Sequence, residues 1–264
     1  MRVLWLTDIH LNFADAMRQR SFFQQVRDAS ADILLLSGDI AEADDVTDYL
    51  DRMATEWRKP LYFVLGNHDF YFGSIAEVRE RVIATCARHA ELHYLSTSDV
   101  IELTPQVGLV GHDGWADGRV GDYERSTVMM NDYKLIAELA GVGKRERLPL
   151  LHSLAGEAAA HLREVLPPAL ATYPEVILVT HVPPLREACW HEGHISDDEW
   201  APHFVCLTVG EAILEIMRDH PDRRLTVLCG HTHGSGACWP LPNVHIQTGG
   251  AIYGVPGIVK LFDL

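Results

Sequence analysis

The chain has 264 residues, a formal charge of −15 with histidines neutral, 47% hydrophobic residues and 22% charged residues, values typical of an ordinary soluble globular protein. No apolar run reaches the ~18–20 residues that a membrane span needs, and the amino-terminal segment MRVLWLTDIH lacks the cleavage site of a signal peptide. The negative charge disfavours long nucleic acids as partners, because a polyanion needs a basic stripe and the sequence shows none.

The first half of the chain predicts a strand followed by a helix, three times over. The predicted elements are Arg2–Thr7, Ala14–Ser30, Asp32–Ser37, Val46–Trp57, Pro60–Leu65 and Ile75–His89. The second strand, DILLLS, is apolar almost throughout, as expected of a strand that is covered on both faces. This alternation predicts parallel strands that are joined by right-handed crossovers.

The second half is less regular. A hairpin is predicted for Val100–Leu103 with Val107–Gly111, and a helix for Ser153–Leu166 that ends at the Pro167-Pro168 pair. The remaining predicted elements are a strand at Val176–Thr180, a helix at Val209–His220, and strands at Leu225–Cys229, Val244–Thr248 and Ile258–Phe262.

Two long stretches, Gly111–Asp132 and Pro183–His203, show no clear periodicity. Loops of this length in a compact domain are usually functional. No linker, repeat or low-complexity segment divides the chain, so we expect one domain over residues 1–264.

Five short polar motifs each follow a predicted strand. They are Asp8-Ile9-His10, Gly38-Asp39, Gly66-Asn67-His68-Asp69, His181 and Gly230-His231-Thr232-His233. The carboxyl ends of parallel strands line one crevice in an open α/β sheet, so these side chains are expected to meet there. Asp, Asn and His suit Mn, Fe or Zn, and the set is too large for one metal that also keeps an open position. The sequence therefore predicts two divalent metal ions that share one carboxylate and leave a positive centre for a phosphate.

The order D-x-H, G-D, G-N-H-D, H, G-H-x-H resembles that of the calcineurin-like metallophosphoesterase superfamily from Asp8 to His233. The resemblance implies a four-layer α/β/β/α sandwich of two mixed β-sheets flanked by helices, with a dinuclear metal centre at the strand ends. It also implies a division of the candidate ligands: Asp8, His10 and His233 for one metal, Asn67, His181 and His231 for the second, and Asp39 bridging both.

The resemblance further implies a catalytic role for His68, which in the family is a proton donor or phosphate contact rather than a ligand. Glu42 lies where several relatives carry an Asp that pairs with this histidine. Either Glu42 or Asp69 would hold His68 protonated, although Asp69 equally suits a helix cap or turn. A hydroxide shared by the metals would attack phosphorus in line with the leaving oxygen, without a covalent enzyme intermediate.

Three further residues are candidates for substrate contact. His112 follows a predicted strand, and Arg119 and Arg125 lie in the same irregular stretch, where a guanidinium can fork onto a phosphate. A hairpin turn explains His112 equally well, and exposure at the surface is the commoner fate of an arginine. Trp190, Trp200 and Trp239 either wall a pocket for a ring or serve packing alone.

These patterns predict a metal-dependent hydrolase of a small phosphate ester, either a diester or a monoester, with a nucleotide among the candidates. The alternatives are a Ser/Thr phosphatase of phosphoproteins and a non-catalytic protein-binding scaffold of the same fold. The five cysteines are widely spread and include no CxxC pair, which favours a reducing, cytoplasmic location. No membrane partner is expected, and an oligomer is possible.

Overall fold

The computed structural model describes residues 1–264 and contains two large β-sheets and one short hairpin. The strands are β1 Arg2–Leu6, β2 Ile33–Ser37, β3 Leu61–Val64, β4 Leu92–Tyr94, β5 Ile101–Thr104, β6 Val107–His112, β7 Glu175–Thr180, β8 Trp190–His191, β9 His194–Ile195, β10 Arg224–Cys229, β11 Gly236–Leu241, β12 Val244–Thr248 and β13 Lys260–Asp263. The helices are α1 Ala16–Asp28, α2 Val46–Trp57, α3 Ile75–Cys86, α4 Asp132–Leu135, α5 Lys144–Thr172, α6 Ala201–Phe204 and α7 Leu207–Arg218.

The first sheet has the strand order β13-β1-β2-β3-β4. Strands β1 to β4 are parallel, which confirms the prediction from the alternating strands and helices. Strand β13 comes from the end of the chain and pairs antiparallel with β1. All of β2 is buried, because helices cover one face of the sheet and the second sheet covers the other.

The second sheet has the order β11-β12-β10-β7-β6-β5. Its four inner strands are parallel, whereas β5 and β11 pair antiparallel at the edges. The pairing of β5 with β6 confirms the predicted hairpin. The sheet is therefore mixed, like the first.

The two sheets pack face to face around a core of large apolar side chains. Trp5, Leu35 and Val64 of the first sheet meet Ile177 and Leu228 of the second. Helices α1, α2 and α3 cover the outer face of the first sheet, and α5 and α7 cover the outer face of the second. These layers confirm the predicted four-layer sandwich.

Helix α5 differs from its prediction. It begins at Lys144 rather than Ser153, and it continues through Pro167 and Pro168 to Thr172. Each proline removes a backbone donor and crowds the preceding turn, which usually ends a helix. The side chains of this turn that lie fully buried against the second sheet are Leu166, Ala169 and Leu170. Burial of this apolar surface offsets the lost hydrogen bonds, so the predicted end at Pro167 is wrong.

Six elements were not predicted: β4, β11, α4, α6 and the two strands of the small β8–β9 hairpin. Strand β11 contains Gly236 and Pro240, two residue types that disfavour strands, and the others span four residues or fewer. None of the helices combines the length and the apolar character needed to span a membrane.

Candidate metal centre

The five polar motifs meet at one edge of the sandwich, where β1, β2, β3, β7 and β10 end. Backbone hydrogen bonds join the segments that follow these strands: the Asp8 amide donates to the Gly38 carbonyl at 3.0 Å, and the Gly230 amide donates to the His181 carbonyl at 2.9 Å. The His231 amide also donates to Asp8 Oδ1 at 3.0 Å, which links the two sheets directly. The prediction that parallel strand ends bring these motifs together is therefore confirmed.

The backbone at this edge is strained. Nine residues other than glycine have a positive φ, and five of them are candidate metal ligands. Their φ angles are 47° at Asp8, 38° at His10, 53° at Asp39, 71° at His231 and 57° at His233. Such conformations cost about 1–3 kcal/mol each and persist where function or the surrounding structure demands them.

Two glycines of the motifs allow a close approach that no other residue would. A Cβ on Gly66 would collide with the Asp39 carboxylate, and one on Gly230 would collide with the carboxylate of Asp8. These glycines therefore leave room for the side chains that converge on the centre.

The first group of candidate ligands is Asp8, His10, Asp39 and His233, whose donor atoms all lie within 4.8 Å of one another. His10 Nε2 lies 3.0 Å from His233 Nε2, and His233 Nε2 lies 3.4 Å from Asp8 Oδ1. His10 Nε2 also lies 3.6 Å from Asp39 Oδ2. Four N and O donors that point at one small volume form a candidate site for a divalent metal.

The second group is Asn67, His181 and His231. Asn67 Oδ1 lies 3.1 Å from His181 Nε2 and 2.9 Å from His231 Nδ1. Asp39 Oδ1 lies 3.4 Å from His181 Nε2, whereas the other oxygen of the same carboxylate faces His10. Asp39 is thus shared by both groups, with one oxygen toward each.

Hydrogen bonds behind the second group fix which atoms face inward. His181 Nδ1 donates to the Ser37 carbonyl at 2.8 Å, and His231 Nε2 donates to the His203 carbonyl at 3.2 Å. Each bond leaves the inward ring nitrogen with a free lone pair, the form that binds a metal.

Asn67 is oriented in the same way. Its amide nitrogen donates to Asp132 Oδ1 at 2.8 Å, so its oxygen turns toward the two histidines. Asp132 also accepts a hydrogen bond from the Tyr71 hydroxyl at 2.7 Å. Asp132 is not among the predicted site residues, because it lies at the end of a stretch without periodicity or a motif.

The candidate ligands are buried carboxylates, an amide and histidines, so the centre has no side chain with a fixed positive charge of its own. Burial lowers the pKa of His10 to about 3 and that of His231 to about 4, so both rings are neutral at pH 7. Burial and the carboxylate of Asp8 raise the pKa of Asp39 well above its ordinary value. A divalent cation between these groups would offset the cost of a buried carboxylate, so the donor set fits a metal.

His68 lies beside the two groups of ligands, but it does not form the predicted pair with Glu42 or Asp69. Its Nε2 lies 3.2 Å from the Tyr253 hydroxyl, and its Nδ1 is buried without a partner. Glu42 makes no hydrogen bond to it. Burial lowers the pKa of His68 to about 2, so neither acid holds the ring protonated.

Asp69 has a structural position instead. Its carboxylate accepts hydrogen bonds from the backbone amides of Ile40, Ala41 and Gly66 at 2.8–2.9 Å. These bonds join the segments that follow β2 and β3, in agreement with the turn-acceptor interpretation of Asp69.

The three predicted substrate contacts lie elsewhere. His112 accepts a hydrogen bond from the Gly114 amide and faces α5, with its Nε2 3.8 Å from Glu157. Arg119 is held by Glu211 on α7 at 2.9 Å, and the Arg125 side chain is 90% exposed beside Asp122. The orientation of a loop side chain is set by tertiary packing, which the sequence pattern does not record.

An open cleft of about 330 Å³ lies over the candidate ligands. The residues that line it are Asp39, Asn67, His68, Tyr71, Met129, Met130, Asn131, His191, Trp200, Phe204, His231, Thr232, His233 and Tyr253. Both irregular stretches of the chain contribute to this wall. Trp200 is therefore the one tryptophan of the three candidates that lines the cleft.

Tyr253 is a second residue of the centre that no sequence pattern predicts. Its ring centre lies 4.6 Å from that of His10 and 4.5 Å from that of His233, and half of its side chain is exposed. It follows β12 in a glycine-rich segment without a recognisable motif, so only the structure shows that it lies at the centre.

Solved structures share this fold at low sequence identity. A phosphopantetheinyl hydrolase (PptH) of Mycobacterium tuberculosis is 14% identical, with a TM-score of 0.68 over 96% of this chain and 89% of that one. A dimetal phosphatase of Danio rerio is 16% identical, with a TM-score of 0.59 over 96% and 88%. A protein of Thermus thermophilus is also 16% identical, with a TM-score of 0.56 over 94% and 88%.

No curated protein matches the chain in sequence. The family model of calcineurin-like phosphoesterases, however, matches residues 1–235. That range includes all five strand-end motifs. The chain therefore belongs to the calcineurin-like phosphoesterase family and is a metal-dependent hydrolase of phosphate esters.

Proposed function

We propose that the protein hydrolyses a small phosphate ester, a diester or a monoester, at a centre of two divalent metal ions. The observation that carries this proposal is the position of Asp39, whose two oxygens face two separate groups of nitrogen and oxygen donors. A carboxylate between two such groups is the arrangement that a pair of metals needs. A single-metal site would have no use for the second group.

The donors divide as the family resemblance implies. Asp8, His10 and His233 would hold one metal, Asn67, His181 and His231 would hold the second, and Asp39 would contact both. When bound, such a pair supplies a hydroxide nucleophile at neutral pH and neutralises charge on the phosphoryl oxygens. The chemistry of the donors admits Mn, Fe and Zn alike.

His68 is the residue proposed to act on the substrate itself. It lines the cleft, and its ring packs against those of Tyr71 and His10, with ring centres 4.2 Å and 4.6 Å apart. A neutral imidazole still carries one N–H, which can donate to a phosphoryl or leaving-group oxygen. We assign no catalytic role to Glu42.

The cleft favours a small substrate. It has about 330 Å³ and no lysine or arginine in its wall, and the whole chain is acidic. A long nucleic acid would need cationic contacts along its backbone. A small ester, such as a nucleotide, needs only the charge of the metal centre.

The first test is a substrate panel with protein loaded with Mn, Zn or Fe. We expect hydrolysis of bis-p-nitrophenyl phosphate or p-nitrophenyl phosphate, and loss of that activity by at least about a hundredfold in His68→Ala. The same panel includes a phosphoserine peptide and a phosphopantetheinyl diester, the latter because of the name borne by the Mycobacterium tuberculosis neighbour. If loaded protein leaves every ester intact, the proposed function is wrong and the scaffold alternative gains support. Fast turnover of the phosphopeptide alone would favour a phosphoprotein phosphatase.

A further inference from the structure

One wall of the cleft is a stack of aromatic rings. The Trp200 ring lies 5.3 Å from that of Phe204 at an interplanar angle of 22°, and 5.2 Å from the ring of His191. Trp200 is 37% exposed and lines the cleft, whereas Phe204 is 5% exposed. About a third of the Trp200 side chain is thus left uncovered in the cleft beside the candidate metal centre.

This stack leads directly to a candidate ligand. The rings of Phe204 and His231 are perpendicular, with their centres 5.3 Å apart and an interplanar angle of 89°. A group that lies on Trp200 is therefore separated from the metal centre by one aromatic side chain. A substrate whose phosphoryl group lies at the centre can therefore reach Trp200 with its leaving group, because both line the same cleft.

Apolar side chains also surround the rest of the opening. Met129 is 55% exposed on the wall of the cleft, and Tyr253 is 50% exposed above His68. Phe13 packs against Tyr253 with ring centres 5.3 Å apart and is itself half exposed. Exposed apolar side chains grouped around a concave site mark a surface that binds an apolar ligand.

Cationic side chains near the opening are engaged elsewhere. Arg18 donates at 3.1 Å to the carbonyl of Gly254, the residue next to Tyr253, and no lysine or arginine lines the cleft itself. A substrate with several phosphates would bring charge that no lysine or arginine of the cleft wall can neutralise. One phosphoryl group, held by the metal centre, has no such requirement.

We propose that the preferred substrate carries a single phosphoryl group on an alcohol that bears an uncharged flat ring, and that Trp200 binds this ring. The proposal rests on the proposed function, because it assigns the leaving-group side of the same site. It excludes nucleoside triphosphates and other polyphosphates as good substrates. A nucleoside monoester or cyclic diester, with one phosphoryl group and a flat base, satisfies it.

The test compares two esters whose alcohols have similar basicity, 2-(1-naphthyl)ethyl phosphate and n-propyl phosphate, so that any difference reports binding of the ring. We expect kcat/KM for the naphthyl ester to be at least about tenfold higher. Calorimetry with the matching phosphonates, which the enzyme cannot cleave, measures affinity without turnover. The naphthyl phosphonate should bind about tenfold tighter, a difference of about 1.4 kcal/mol, which lies within the range of one ring stacked on an aromatic side chain.

Three variants test whether Trp200 is the side chain that binds the ring of the substrate. Trp200→Leu should reduce the preference to less than about threefold, whereas Trp200→Phe, which restores an aromatic face, should keep most of it. Trp239→Leu is the matched control, because Trp239 is 64% exposed and stacks on His245 outside the cleft. Circular dichroism and thermal melting establish that each variant is folded.

The outcomes separate this inference from the proposed function. If wild-type protein binds both phosphonates equally, or if Trp200→Leu keeps the full preference, the ring site is wrong while hydrolysis of both esters still supports a phosphoesterase. If loaded wild-type protein cleaves neither these two monoesters nor the diester bis-p-nitrophenyl phosphate, the proposed function is wrong, and the phosphonate affinities still decide whether Trp200 binds a ring. A better kcat/KM for adenosine triphosphate than for adenosine monophosphate would contradict the single-phosphoryl requirement.

Discussion

At the scale of single residues, the centre depends on hydrogen bonds from neighbouring groups that fix the orientation of the ligand atoms. Asn67 presents its oxygen because its amide nitrogen donates to Asp132, and His181 presents Nε2 because its Nδ1 donates to the Ser37 carbonyl. These supporting contacts reduce the reorganisation that metal binding requires. The carboxylate of Asp39 is the point where the two groups of donors meet.

Tyr253 offers a prediction at this scale. Tyr253→Phe removes the hydroxyl that lies 3.2 Å from His68 Nε2 and leaves the ring in place. Since a single hydrogen bond contributes about 1 kcal/mol, we expect kcat to fall by about five- to tenfold. Metal content and the melting temperature should stay unchanged, because the ring contacts with His10 and His233 remain.

The matched control for Tyr253→Phe is Tyr62→Phe. Tyr62 stacks on His93, and its hydroxyl makes no hydrogen bond. This variant should retain wild-type kcat. If Tyr253→Phe also retains it, the contact with His68 has no part in catalysis.

The sequence predicted single residues well where a motif marks them and poorly elsewhere. Every candidate ligand of the five motifs lies at the centre, because a strand end fixes where the next residue must lie. His112, Arg119 and Arg125 do not, since a partner such as Glu211, distant in sequence, decides the direction of a loop side chain. Tyr253 carried no local signal at all.

At the scale of elements, periodicity located most of the strands and helices, and packing decided the exceptions. Strands β1, β2 and β3 lie close to their predicted bounds, because their apolar runs must be buried on both faces. In helix α5, by contrast, packing overrides the end that the sequence pattern predicts. Local rules end the helix at Pro167, but the buried face that continues past this point extends it.

The prolines within helix α5 therefore oppose helix formation locally, and replacing one of them should remove part of that cost. Pro168→Ala should stabilise the protein by about 1 kcal/mol, because alanine restores a backbone donor in an exposed position of the helix. The gain is smaller than the full cost of a helical proline, since proline also restricts the unfolded chain. Urea unfolding measures the difference.

Pro242→Ala is the control for this prediction. Pro242 lies in the exposed turn between β11 and β12, where proline restricts the unfolded chain and breaks no helix. We expect this change to be neutral or slightly destabilising. A destabilised Pro168→Ala variant would mean that the helix is adapted to its prolines.

At the scale of the whole molecule, the sandwich explains why one edge can hold so many ligands. Strands from both sheets end there, so Asp8, Asp39 and Asn67 come from one sheet, and His181 and His231 from the other. The resemblance to a known family predicted this architecture. Periodicity alone predicted parallel strands but not two stacked sheets, because the choice of partners among strands depends on contacts distant in sequence.

The net charge of the molecule is compatible with a phosphate substrate because of where the charge lies. The chain carries −15, yet the cleft over the metal centre is lined by neutral and apolar side chains together with the buried Asp39. Two divalent ions would concentrate positive charge at the one place where a phosphoryl group must bind. Net charge therefore disfavours long polyanions without opposing a small ester.

The most direct test of the central claim is the number of metal ions bound by each chain, measured by elemental analysis after loading with Mn or Zn and removal of excess ions. We expect about two ions per chain in the wild-type protein. Asp39→Asn should bind fewer than one at the same concentration, because an amide cannot offer an anionic oxygen to each group of donors. The variant should stay folded, since its amide oxygen can still accept the His68 backbone hydrogen bond. A wild-type protein that holds one ion or none, or an Asp39→Asn variant that still holds two, would contradict a dinuclear centre bridged by Asp39.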